Sequence, residues 1–114
     1  MLPSNLVGKK YEALVANFLT EKGYIILERN YRNKLGEIDL ICKDKDYIVF
    51  VEVKYKSSAK FGRPIEMISE QKIWHVRRSA TLYLKMKGLL EANVRFDAVE
   101  VLDEEIRHIE NAFW

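Results

Sequence analysis

The sequence predicts an α/β fold in which a mixed central sheet is flanked by helices. Two stretches carry apolar residues at helical spacing, around 4–22 and 70–87. Five shorter stretches have strand composition, and glycine, asparagine, serine or paired charges punctuate them. The order α-β-β-β-α-β-β calls for helices packed on one sheet.

Ser4 is placed to cap the first helix, and Val7, Tyr11, Leu14, Val15 and Phe18 form its expected inward stripe. Gly23 supplies the stop. Residues 24–29 read as a strand, and 33–36 carry turn chemistry. Two long apolar strands follow, about 37–43 and 47–56, joined by a tight charged turn at Lys45 and Asp46. Residues 57–63 are a polar loop containing glycine, and Pro64 suits the approach to a helix. Ser69 is the expected N-cap of that helix, with Ile73, Val76, Ala80, Tyr83 and Leu84 as its core stripe. Gly88 closes it. Residues 94–102 form another strand, and 106–113 a last one at a sheet edge, because it carries Arg107, His108 and Glu110.

The 114 residues are expected to form one domain, 1–114, able to bury a core without disulfides. No apolar run approaches the ~18 residues of a membrane helix, and no signal-peptide pattern is visible, so a cytoplasmic protein without membrane contact is expected. Cys42 reads as a buried small hydrophobe in a reducing compartment; one cysteine makes neither an internal disulfide nor a thiolate zinc cluster. Net charge is only +2 but unevenly spread. Residues 1–95 hold 18 Lys and Arg against 11 Asp and Glu, whereas 96–114 hold one Arg against six acids. A basic surface around an acidic spot fits a polyanion, and an ordinary solvated mixed surface fits the same charges.

The central hairpin, GEIDLICKDKDYIVFVEVKYK, places Glu37, Asp39 and Glu52 where a plain strand would carry Val or Ile. With a two-residue loop, Asp39 faces Glu52 and Glu37 faces Lys54, so all four converge on one side with Ile41 and Phe50. Ile38, Leu40, Cys42, Val49, Val51 and Val53 make the opposite, purely apolar side. Two carboxylates about 5 Å apart repel by about 3 kcal/mol at an effective dielectric of 20. That is a large share of the ~5–15 kcal/mol that stabilises a domain. Three arrangements relieve it: a shared proton, neutralisation by Lys54 in an ion-pair ladder, or a bridging divalent cation. Mg²⁺ suits such a pair, since it takes one or two carboxylates plus waters and substrate phosphates. Lys54 would then orient or deprotonate an attacking water, or stabilise developing negative charge.

An acid on one strand followed by acid-x-lysine on the next, Asp39 and Glu52-Val53-Lys54, matches the PD-(D/E)xK signature of the restriction-endonuclease-like fold, with Ile38-Asp39 in place of Pro-Asp. The wider runs RNYRNKLGEIDLI, VFVEVKYK, FGRP, RFDAVEV and HIENAF, in that order, resemble the YraN-like family of small bacterial endonuclease-like proteins, whose core is similar to archaeal Holliday-junction resolvases. The resemblance covers nearly the whole chain. It implies a restriction-endonuclease-like core and a Mg²⁺- or Mn²⁺-dependent endonuclease acting on DNA, on a branched or processed structure. It further implies that Asp39, Glu52 and the Val53 carbonyl hold the metal, that Lys54 acts on the attacking water, and that Glu12 on the first helix completes the site. Glu37 is expected to orient Lys54. The family glycine that usually precedes the helix glutamate is missing here, although Gly8 stands one turn earlier.

Lys56, Lys60, Arg63, Lys72, Arg77 and Arg78 are the expected phosphate contacts, blind to sequence and sensitive to salt. Asp97, in the RFD run, is expected to pair with Arg95 or with a neighbouring chain. His75 and His108 lack partners at metal-ligand spacing. A symmetric four-way junction would require two sites, hence a homodimer. Two other readings remain open at this level. One is a DNA-binding or scaffold protein that keeps the nuclease fold without cutting. The other is a protein-interaction module whose polar cluster is an ion-pair ladder.

Overall fold

The computed structural model describes residues 4–56 and 68–113, with side chains from residue 8 onward. The elements are α1 (Ser4–Glu21), β1 (Ile25–Asn33), β2 (Gly36–Asp44), β3 (Tyr47–Lys56), α2 (Glu70–Lys87), β4 (Asn93–Leu102) and β5 (Glu105–Ile109). This is the α-β-β-β-α-β-β order expected. The sheet runs β1-β2-β3-β4-β5. Its pairs are antiparallel except β3 with β4, which are parallel and joined through α2. Parallel neighbours need such a crossover, so the position of the long helix in the sequence dictates the mixed sheet.

The helices cover opposite faces. On one, Val15, Ala16 and Leu19 of α1 pack against Leu40, Cys42, Val49, Val51, Val99 and Val101. On the other, Val76, Ala80, Tyr83 and Leu84 of α2 pack against Ile38, Ile41, Phe50, Ala98 and Phe113. Both central strands, covered on two sides, are therefore nearly continuous apolar runs. Cys42 is fully buried and unpaired, and burial pushes its thiol up to about 12.

α2 is the element its residues specify most completely. The Ser69 hydroxyl accepts the Lys72 N–H, and Gly88 sits in the left-handed region at φ 70° while its N–H closes on the last turn. α1 differs from expectation. Leu14 is 39% exposed, and Ala16 and Leu19 are buried instead, because the helix is rotated about its axis relative to the expected stripe. Val7 and the Ser4 side chain lie outside the described side chains, as do Pro64 and the whole 57–63 loop. β5 is an edge strand, but it ends at Ile109, and the chain turns so that Phe113 re-enters the core.

The hairpin pairs Asp44 with Tyr47 and Leu40 with Val51, which is the two-residue register, with Lys45 at φ 54° in the turn. Pairing of β2 with β3 stops after Leu40. Beyond it, the Asp39 carboxylate accepts the Val53 N–H at 2.8 Å. On the other side of β2, Asn30 adopts a left-handed φ of 50°. The strict alternation of faces breaks at this point. Ile38 consequently packs under α2 rather than beside Leu40, and the ladder ends before it could set Glu37 opposite Lys54. Glu37 instead pairs with Arg32 Nε at 3.0 Å.

Candidate functional site

The break in β2 turns Asp39 toward the middle of β3, where Glu52 stands. Glu52 is 2% exposed. Its Oε1 lies 3.9 Å from Lys54 Nζ and 3.7 Å from Lys72 Nζ, both beyond hydrogen-bond length. Its Oε2 is buried and, among the described residues, has no hydrogen-bond partner. Burial raises the Glu52 carboxyl to about 8, and the neighbouring charge of Asp39 adds to the rise, against the pull of Lys72 and Lys54. An acceptor left unmade in the interior costs about 1–3 kcal/mol. Two lysines at arm's length therefore relieve the pair only in part.

Asp39 is partly exposed and lines a cleft of about 510 Å³ with Gly8, Glu12, Asn30, Arg32 and Glu37. Glu12 enters this cleft from α1. Burial raises its carboxyl, as does the charge of Asp39, while a hydrogen bond with Asn30 opposes the rise. Glu12 and Asp39 thus both line the cleft, while Glu52 is buried outside its lining. Among the described residues no three His, Cys, Asp or Glu side chains gather closely enough to hold a metal ion by themselves. The donors that could serve a hard cation are the Asp39 and Glu52 oxygens, and the orphaned Oε2 is the atom such an ion would satisfy. Val53 packs its side chain on the α1 face, and its peptide N–H is already given to Asp39.

Lys72, expected at a phosphate-binding surface, belongs to this cluster instead, because the first turn of α2 lies over the Glu52 face of the sheet. Arg77 and Arg78 are on α2 beyond it, and Lys56 ends β3. Lys60 and Arg63 lie outside the described residues. Glu100, which sequence reasoning passed over, is 1% exposed, neighbours Lys54 across the parallel ladder and reaches Arg107 Nη1 at 3.5 Å. Its signal was present: an acid inside the apolar run AVEV of β4, as odd there as Glu52 is in β3.

A second buried polar network lies on the α1 face, beyond the candidate site. Asp97 is fully buried and accepts from Arg95 Nε at 2.9 Å and Nη2 at 3.0 Å, and from the Asn111 N–H at 2.9 Å. Arg95 also reaches Asp44 at 3.1 Å and the Tyr24 hydroxyl. The Lys22 ammonium can only donate, so His108 accepts at Nδ1 (2.7 Å) and donates from Nε2 to Asp97 (2.7 Å). Burial pushes the Asp97 carboxyl up, but the bonds from His108, Arg95 and Asn111 outweigh it and hold the carboxyl below its usual range. The expected Arg95 pairing is present within the chain. His108 has a partner that spacing alone did not reveal, since Asp97 lies on the adjacent strand.

Residues 11–101 match the family model described as "Uncharacterised protein family UPF0102". A UPF0102 protein of Lachnoclostridium phytofermentans is 47% identical over 113 residues, covering 94% of this chain and 96% of that one. One of Syntrophomonas wolfei is 45% identical over 106 residues, covering 90% and 92%. One of Thermodesulfovibrio yellowstonii is 44% identical over 108 residues, covering 95% and 96%.

Proposed function

The chain belongs to the UPF0102 family, as its YraN-like motifs implied, and we propose that it is a divalent-cation-dependent endonuclease that hydrolyses phosphodiesters in structured DNA. The observation that carries the reading is the Glu52 carboxylate, buried at 2% exposure, with Oε2 unpartnered among the described residues and set against Asp39. The two lysines both approach Oε1, so the ion pairs leave Oε2 unsatisfied. The same feature supports Mg²⁺ or Mn²⁺, because two carboxylates leave room for the waters and substrate phosphate these ions keep.

Asp39 and Glu52 would hold the ion, with the Val53 carbonyl, and with Glu12 through water. Bound there, it would neutralise the paired acids and polarise a phosphate oxygen. The Val53 N–H fixes the rotamer of Asp39. Lys54 acts on the attacking water, and Lys72 supplies positive charge beside the phosphate, both already directed at Glu52 Oε1. Glu37, tied to Arg32, shapes the cleft rather than orienting Lys54. The cleft at Asp39 would admit the scissile strand from outside. Lys56, Lys60, Arg63, Arg77 and Arg78 remain the proposed backbone contacts.

The absence of a three-carboxylate cluster among the described residues, with two lysines near Glu52, favours one other reading: a DNA binder on the same fold that does not cut. Cleavage of a labelled panel with Mg²⁺ and Mn²⁺ separates the two. The panel holds a four-way junction, a flap, a splayed arm, plain duplex and single strand, and Asp39→Asn is run beside the wild type. Cutting that falls by at least about a hundredfold in the variant supports the nuclease. Binding without cutting supports the second reading, and equal cutting by both proteins rejects the site.

A further inference from the structure

We infer that the outer face of α2 binds an unpaired stretch of nucleic acid, with Trp74 as the stacking platform, and so directs strands with single-stranded character to the Asp39 cleft. This rests on the nuclease reading for what happens at Asp39, but not for the binding itself. Trp74, Arg78, Thr81 and Lys85 recur at positions i, i+4, i+7 and i+11, which places them on one face of the helix. Trp74 is 54% exposed. The Arg78 guanidinium lies 4.8 Å from its ring centroid, and the His75 ring meets it edge-on at 5.0 Å. Between this face and Leu35 runs a groove of about 410 Å³, bordered by Arg77 and Lys85 as well as Trp74 and Arg78. Among the described residues Arg77 Nη2 has no hydrogen-bond partner.

Charge selects the occupant. α2 carries Lys72, Arg77, Arg78, Lys85 and Lys87 against a single acid, Glu70. The groove is also continuous with the candidate site. It shares Leu35 with a second depression that holds Lys72 and His75, and that depression shares Arg32 and Glu37 with the cleft of Asp39. Lysines and arginines alone suffice for a duplex backbone. A half-exposed indole among them adds a surface that only an unstacked base can use, which is how proteins hold single strands without reading sequence.

The sequence contains two tryptophans, so in a Trp114→Phe background Trp74 is the only one. Titrating that protein with a thymine oligonucleotide should quench its fluorescence saturably. Trp74→Ala in the full chain should weaken binding of the oligonucleotide about tenfold, within the range for one stacked base, and Trp74→Phe should recover most of it. Binding of blunt duplex should change less than about twofold. Absence of quenching, or an equal loss on single strand and duplex, would overturn the proposal. Running Asp39→Asn in the same series keeps the two readings apart. Quenching without any Asp39-dependent cutting leaves the stacking site standing and rejects the nuclease, whereas Asp39-dependent cutting without quenching rejects the stacking site alone.

Discussion

Glu52 shows how one residue can be costly to the fold and still be retained. Its carboxyl, raised to about 8 by burial and by Asp39, keeps a proton in the folded chain that the unfolded chain releases near 4.5. The sign follows: its contribution to stability is complete below about 4.5 and is lost as pH rises to about 8. Glu52→Gln should therefore flatten the pH profile of thermal unfolding in that window. At pH 8 without metal it should raise stability by on the order of a few kcal/mol. If calorimetry instead showed Glu52→Gln to be less stable than the wild type at pH 8, the lysines would already satisfy the carboxylate. Asp97 behaves oppositely. Its lowered carboxyl stabilises the fold above its ordinary 3.8, and that contribution is lost as pH falls below it. Asp97→Asn should cost about 3–5 kcal/mol in urea unfolding at neutral pH, because it leaves Arg95 without its buried counter-charge, and its stability should fall less steeply below pH 4.

At the scale of elements, the hairpin and α2 were legible because their signals are local. A two-residue charged turn sets the register, a serine and a glycine bracket the helix, and the helix stripe recurs at its own period. The departure at Asp39 was not legible. Asn30 takes a left-handed conformation that no composition rule demands of asparagine, and the Asp39 to Val53 bond replaces a rung of the ladder. Those two local events move Ile38 to the other face and end the β2–β3 ladder before Glu37, which pairs with Arg32. The pair Asp39 and Glu52 was visible as misplaced acids, whereas the approach of Lys72 depends on where α2 docks. That docking has its own marker. A Cβ added to Gly36 would meet Ser79 Oγ at 2.7 Å, and Gly36 has φ 151°, so only glycine lets α2 lie against the start of β2. Gly36→Ala should destabilise the fold by about 1–3 kcal/mol in chemical denaturation. It should also weaken any activity that needs Lys72 beside Glu52.

For the molecule as a whole, helices on both faces leave the central strands buried, and the candidate site forms where β2 parts from β3 between the two layers. The uneven charge in the sequence resolves accordingly. Asp97 and Glu100, two of the acids from the C-terminal stretch, turn inward to arginines, while Arg78, Lys85 and Lys87 of α2 face outward and Lys72 turns to Glu52. No helix among the described residues is long and apolar enough to cross a membrane. What joins these features is one claim, that the pair of cleft-lining Asp39 and buried Glu52 is kept to hold a divalent cation. Calorimetric titration of Mn²⁺ at pH 8 into wild type, Asp39→Asn and Glu52→Gln tests it most directly. Saturable binding near one ion per chain in the wild type, weakened at least about tenfold in each variant, is the expected result. Absence of binding, or the same binding in all three proteins, would contradict it and leave the acids as an internal ion-pair cluster with Lys54 and Lys72.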